Sequence, residues 1–297
     1  MNAGGTEGLH EKAKGLDTMV PSDVLALLSA GQQDAARAVD ASLEAIAAAS
    51  KIAADAIASG RRLVYAGAGS SGLMAMADAL ELPGTYGIGR DQIAILFAGG
   101  TSNLSDMPGG PEDDVEQARI DAEGAIGEDD CVVTISASGS TPYALAVADV
   151  ARARGAKVVA IANNPQAKLF NGADVSILLQ TPPEFVSGST RMGAGTAQKI
   201  ALNMFSTLMA IHLGHVHDGY MVNLCADNIK LVARAARIVS GIAGIEVEEA
   251  GRLVEKASGS VKIAILLAAG AKDKNSAESI LEESGHNVRR ALQSIGG

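Results

Sequence analysis

The sequence has no tryptophan, only four phenylalanines and four tyrosines, and two cysteines in 297 residues. With aromatics at 3% and apolar residues at 47%, a core must be assembled from Ala, Val, Ile, Leu and Met. Cys131 and Cys225 stand far apart in apolar surroundings and read as buried thiols in a reducing compartment. Cations are also in deficit, with 24 Lys and Arg against 34 Asp and Glu, a formal net charge of −10. Nucleic-acid binding replaces condensed counterions with Lys and Arg, so this balance excludes a general nucleic-acid partner. It leaves room for a small anion, which a few backbone N–H groups can hold in an acidic protein. No apolar run reaches the roughly 18 residues of a membrane span. The opening MNAGGTEGLHEKAKGLDTM has no apolar stretch of signal-peptide type. The expectation is a cytoplasmic protein with no membrane partner.

What the chain does have is glycine, 34 residues of it, and an alternating pattern. Residues 1–19 read as a loose polar arm. An Ala-rich segment from Gln33 to Ser59 carries Val39, Leu43, Ile46, Ile52 and Ile57 at helical spacing, and Gly60 stops it. Five short apolar runs follow: RLVYA from Arg62, QIAILFA from Gln92, CVVTIS from Cys131, KVVAIA from Lys157 and DVSILL from Asp174. Helical segments separate the first four, and a long helix from Thr190 to Leu213 follows the fifth. Continuous β-branched runs between helices predict a buried parallel five-stranded sheet flanked by helices, an α/β fold. Past Val222 the strand signal ends, and breaks at Ser258-Gly259-Ser260, Gly270 and Gly285-His286 mark a small all-helical domain. The domains expected are residues 1–222 and 223–297.

Ligands of an open parallel sheet bind beyond the carboxyl ends of its strands, where loops meet helix N-termini. Two loops there are rich in glycine and hydroxyls. The first, Gly67-Ala68-Gly69-Ser70-Ser71-Gly72, lets the backbone approach a ligand and offers the Ser70 and Ser71 hydroxyls. It lacks the Gly-Lys-Ser/Thr ending of a Walker loop. The second follows the third strand and presents Ser136, Ser138, Ser140 and Thr141 ahead of Pro142, a good first helical residue. Phosphate on a hydroxyl-bearing small molecule suits both.

The order strand, GAGSSG, strand, strand, SASGSTPY resembles the sugar isomerase (SIS) fold. The run from Gly188 to Lys199, GSTRMGAGTAQK, is similar to the signature of the N-acetylmuramic acid 6-phosphate etherases. Further similarity lies in Asp78–Pro83, the Ala98-Gly99-Gly100 turn, Glu112-Asp113-Asp114, Leu202-Asn203-Met204 and Glu283–His286, so the resemblance extends from about Leu16 to the end. It implies a homodimeric lyase that cleaves the D-lactyl ether of N-acetylmuramic acid 6-phosphate, yielding N-acetylglucosamine 6-phosphate and D-lactate. Two carboxylates would carry the reaction, which needs no metal or other cofactor. Glu81 would protonate the departing lactate oxygen and later assist water addition. Glu112 would take the proton beside the aldehyde of the opened sugar. Leu80, Leu82 and Pro83 are expected to wall Glu81 from water. Ser189, Thr190 and Glu184 join the serines and threonine of the two loops as expected contacts of a phosphorylated amino sugar.

Some positions depart from the family pattern. Leu73, Gly193 and Ser140 stand where the etherases commonly carry basic residues, and HVHDGYMVN from His215 replaces a Gly-Asn-Leu-Met-Val-Asp type of run. Fewer cations favour a changed phosphosugar. His212, His215 and His217 have no spacing typical of a metal site and read as core or interface histidines. Two other readings stay open: a phosphosugar sensor, since the fold also serves regulators such as the glucokinase regulator, and an isomerase or etherase for another phosphosugar. Having both Glu81 and Glu112 favours an enzyme.

Overall fold

The computed structural model describes residues 5–102, 104–224 and 229–296. Cys225, read above as a buried thiol, lies outside the described residues. The chain forms two compact units, residues 1–80 with 91–206, and residues 81–90 with 207–297. The expected boundary at 222/223 falls inside the second unit. Loss of strand signal marks where the sheet ends, whereas a unit is bounded by what shares its core. Val222 and Leu224 are buried with the C-terminal helices, so that core begins earlier.

In the first unit, α1 (Pro21–Arg37) and α2 (Leu43–Ala58) are separated by a 3₁₀ turn over Ala38–Ser42. The single helix expected from Gln33 to Ser59 is therefore interrupted. Val39 and Ser42 turn inward at the break, and the Ser42 hydroxyl donates to the Leu178 carbonyl at 2.6 Å. The alternation that follows is β1 (Leu63–Gly67), α3 (Gly69–Tyr86), β2 (Ile93–Phe97), α4 (Val115–Ala125), β3 (Cys131–Ile135), α5 (Pro142–Ala153), β4 (Lys157–Ala162), β5 (Val175–Leu178) and α6 (Gly193–His212). The five strands pair in parallel in the order β2-β1-β3-β4-β5. Both faces are covered, which explains their unbroken apolar runs. One face buries Val64, Ala66, Val132, Val158 and Ala160 against Ala118 and Ala122 of α4 and Tyr143 to Ala151 of α5. On the other, α2 meets β1, β3 and β5, and Ser50 of α2 donates to the Phe205 carbonyl of α6 at 3.0 Å.

The order places β1 between β2 and β3, so the chain leaves β1 toward one edge and β3 toward the other. Gly67 and Ile135, the last residues of β1 and β3, are paired in register. This is a topological switch point, and the two hydroxyl-rich loops flank its crevice.

The expected loose arm is in part docked. Residues Gly5–Glu7 form a 3₁₀ turn, and Thr6 is buried. Low hydropathy hid this, because Thr6 is held by hydrogen bonds, not by apolar packing.

The second unit contains a hairpin, β6 (Val216–His217) with β7 (Tyr220–Met221), then α7 (Ile229–Ala243), α8 (Val247–Lys256), α9 (Val261–Ala268), α10 (Lys274–Glu283) and α11 (Val288–Gly296). Asp218 and Gly219 both have positive φ, the geometry of a two-residue hairpin turn. The Asp-Gly pair is a hairpin signal, but strands of two residues carry no alternation that would mark them in the sequence. The helix breaks fall at Ser258, Gly259, Gly270, Gly285 and His286, all with positive φ. Ser260 and Asp273 cap the following helices with side-chain oxygens. No helix among the described residues is long and apolar enough to cross a membrane.

Candidate active site

The first loop is shaped by close backbone contact. A Cβ on Gly67 would lie 3.0 Å from Gly72 Cα and 3.2 Å from the Ile135 carbonyl oxygen, and one on Gly72 would lie 2.7 Å from the Phe97 ring. The strand-to-helix turn is tight because neither position carries a side chain. It leads directly into α3, whose first turn holds Ser70, half-buried, and Ser71, buried. Helix N-terminal N–H groups and hydroxyls thus share the crevice, an arrangement suited to an anion.

Glu112 reaches the same loop from a distant stretch of chain. Pro111 sits against the turn after β2, where a Cβ on Gly99 would be 3.2 Å from its ring. The next residue then projects to the first loop: Glu112 Oε1 lies 2.7 Å from where a Cβ on Gly69 would stand. Gly69 has φ +51°, so it is a site for glycine both sterically and conformationally. Burial raises the Glu112 pKa above that of an ordinary glutamate, and the neighbouring Asp113 charge adds to the effect.

The second loop is a hydroxyl cluster. Ser136 is buried; its Oγ takes the Gly139 N–H at 3.0 Å and lies 2.8 Å from Thr141 Oγ1 and 3.3 Å from Ser138 Oγ. Ser140 donates to Ser138 Oγ through its N–H at 3.2 Å and its hydroxyl at 3.1 Å. Ser136 therefore holds the loop in shape, while Ser138, Ser140 and Thr141 lie nearer its surface. Gly139 has φ +67°, and a Cβ there would lie 2.1 Å from that of Ala167. Two residues that sequence reasoning missed brace this loop. Asn163 N–H donates to the Ala137 carbonyl at 3.0 Å, and Asn164 Nδ2 to the Ser138 carbonyl at 3.2 Å. The signal for them was a polar pair at the carboxyl end of β4, beside the two loops.

The other expected contacts fare differently. Glu184 is buried and accepts from the Gly193 and Ala194 N–H groups at 3.0 and 2.9 Å, so both oxygens cap α6. Ser189 and Thr190 are half-buried in the turn before that helix. Glu81 belongs to the second unit and is exposed on α3, as is Leu80, whereas Leu82 is buried. The expected wall of Leu80 is absent, because the helical register turns that side chain outward. Asp78, three residues before Glu81, is the buried acid of α3, accepting from the Tyr65 hydroxyl at 2.8 Å and the Ser206 hydroxyl at 3.0 Å. Burial raises its pKa, and the two hydrogen bonds pull the other way. Burial pushes the Cys131 thiol up to about 12, leaving no thiolate to act as a nucleophile. In the second unit His212 is exposed, His217 is buried, and His215 is held near 4 by burial and the Lys262 charge. Among the described residues no three His, Cys, Asp or Glu side chains converge as metal ligands.

Comparison with known proteins identifies relatives along almost the whole chain. The SIS domain model matches residues 27–163. An N-acetylmuramic acid 6-phosphate etherase of Deinococcus radiodurans is 39% identical over 288 residues, covering 97% of this chain and 94% of that protein. A protein of the same name from Streptomyces avermitilis is 41% identical, covering 97% and 93%. A Bacteroides fragilis structure, described as a proposed phosphosugar isomerase involved in capsule formation, is similar in fold alone. It has a TM-score of 0.50 at 22% identity, covering 67% of this chain and 97% of that one.

Proposed function

This chain belongs to the N-acetylmuramic acid 6-phosphate etherase family, and from that membership we infer that it cleaves the D-lactyl ether of N-acetylmuramic acid 6-phosphate. The products are N-acetylglucosamine 6-phosphate and D-lactate, with one water consumed. The observation that best supports the reading in this molecule is the Glu112 carboxylate, held against Gly69 at the mouth of the first loop with its pKa raised. A base of that kind is what abstraction of a carbon-bound proton requires.

The ring-opened sugar has an aldehyde at C1, which acidifies the C2 proton. Glu112 takes that proton, leaving a carbanion stabilised as the enolate of the aldehyde, and its electron pair then forms the C2–C3 double bond as the C3–O bond to lactate breaks. By the family resemblance alone, Glu81 is assigned to supply the proton to the departing oxygen. Water then adds at C3, giving up a proton to Glu81, and C2 regains its proton from Glu112. The phosphate is assigned to the two switch-point loops, through Ser70, Ser71, Ser138, Ser140 and Thr141. Ser136 supports them from within, and Ser189 and Thr190 are assigned to the sugar. Glu184 holds the start of α6 beside them. The family resemblance also suggests a homodimer, and the exposed Leu25 and Leu43 in the N-terminal helical region support it.

The test is incubation of the purified protein with N-acetylmuramic acid 6-phosphate in ¹⁸O-water, followed by mass spectrometry. The expected result is free lactate without label and N-acetylglucosamine 6-phosphate carrying one ¹⁸O at C3. Tight binding of the phosphosugar with no lactate release would replace the enzyme reading with that of a sensor.

A further inference from the structure

We propose that residues 5–10 are a positioning strap for the phosphosugar site, in which Thr6 acts through Asn164 on the backbone of the Ser136–Thr141 loop. The proposal rests on the reading that this loop holds the substrate phosphate. Asn164 is the centre of the device. Its Oδ1 accepts the Thr6 N–H at 3.0 Å, and its Nδ2 donates both to Thr6 Oγ1 and to the Ser138 carbonyl, each at 3.2 Å. The amide is therefore oriented from one side by Thr6, itself 4% exposed, and applies that orientation to the loop on the other.

The pinned carbonyl matters because the N–H of the same peptide is pinned too. Gly139 N–H donates to the Ser136 carbonyl at 3.1 Å and to Ser136 Oγ at 3.0 Å. Holding both ends of one peptide unit fixes its plane, and with it the positions of Ser138 and Ser140. Without the Thr6 hydroxyl, Asn164 would lose one of its three hydrogen bonds, the one that shares Nδ2 with the Ser138 carbonyl and sets its direction.

The same segment reaches the turn that leads into α6. The Glu7 carbonyl accepts from the Ser187 hydroxyl at 3.1 Å, and the Glu7 carboxylate lies 3.4 Å from where a Cβ on Gly188 would be. His10 stacks on Phe185 with ring centroids 3.9 Å apart and planes 28° apart. Six residues thus tie the second loop to the turn carrying Ser189 and Thr190. Gly5 makes the fit exacting: it has φ +73°, and a Cβ there would lie 2.1 Å from Asn164 Oδ1.

Thr6 touches no reacting atom in this account, so it is a positioning residue and its loss should weaken binding of the phosphate end, not the chemistry. In the full chain, Thr6→Val should raise KM for N-acetylmuramic acid 6-phosphate about three- to tenfold, with kcat within about twofold. Competitive inhibition by inorganic phosphate should weaken by the same factor. Thr6→Ser, which keeps the hydroxyl, should restore both values. Gly5→Ala should reproduce the Thr6→Val effect while leaving every polar group in place, and serves if Thr6→Val folds poorly. Unchanged KM and phosphate inhibition in Thr6→Val and Gly5→Ala, or a fall in kcat alone, would overturn the strap. If the wild type releases no lactate, the etherase reading fails instead, and the same variants are compared by calorimetric affinity for N-acetylglucosamine 6-phosphate. There the same three- to tenfold weakening is expected, and equal affinities would overturn the strap.

Discussion

A carboxylate is a stronger general base near neutral pH when its surroundings raise its pKa, and the position of Glu112 does this. Burial raises its pKa, so on the acid side the base form is lost at a higher pH than for an ordinary glutamate. The rate should rise with pH through that raised value, and Glu112→Gln should abolish this acid limb with the activity. The variant should also stop exchange of the C2 hydrogen with deuterated water, read by NMR. Glu81→Gln should stop lactate release and leave the exchange running, since forming the carbanion does not require the leaving group to depart. Each loss should be roughly a hundred- to ten-thousand-fold. Stability works in the opposite direction. A raised folded-state pKa in an acid contributes stability that is full below the unfolded value and lost as pH rises through the folded one. At neutral pH Glu112→Gln should therefore not lower the melting temperature. Variants that keep their fold but lose exchange would separate chemistry from structure, and full activity in both would remove these roles. Glu112 could be nominated from sequence through family resemblance alone. Its contact with Gly69 could not, because 42 intervening residues carry no local pattern that reports it.

At the level of elements, the two switch-point loops owe their shape to glycines that accept no side chain. Gly139 is the sharpest case, combining φ +67° with a virtual Cβ 2.1 Å from Ala167 Cβ. Gly139→Ala should cost roughly 2–5 kcal/mol, combining left-handed strain with overpacking. Urea denaturation checks this, and a loss below about 1 kcal/mol would mean the loop relaxes freely. The strands and most helix boundaries were legible because burial on both faces demands unbroken β-branched runs. The break between α1 and α2 was not. Helical spacing continues across it, and the contact made at the break, the Ser42 hydroxyl on the Leu178 carbonyl, is with a residue 136 positions away.

On the scale of the whole molecule, the proposed homodimer can be tested at the N-terminal helices. Leu25 is 66% exposed, Val20 before it 58% and Leu43 at the start of α2 47%, and a second copy is proposed to cover them. Sedimentation should give twice the 30.0 kDa chain mass. Leu25→Glu should shift the molecule toward a monomer, and a wild-type monomer at micromolar concentration would set the dimer aside.

The sequence by itself determined the α/β alternation, the helical C-terminal region, the two hydroxyl-rich loops and, through its signature run, the family. These are properties of local periodicity and of contiguous motifs, which a chain carries wherever it is placed. Only the tertiary structure decided which loops share a crevice, since strand order β2-β1-β3-β4-β5 is a matter of pairing. It also decided that both Glu184 oxygens cap α6, that Leu80 faces outward, and that Thr6 is buried against Asn164. Each depends on partners far apart in sequence, and hydrogen bonds between polar side chains leave no periodic trace by which they could be foreseen.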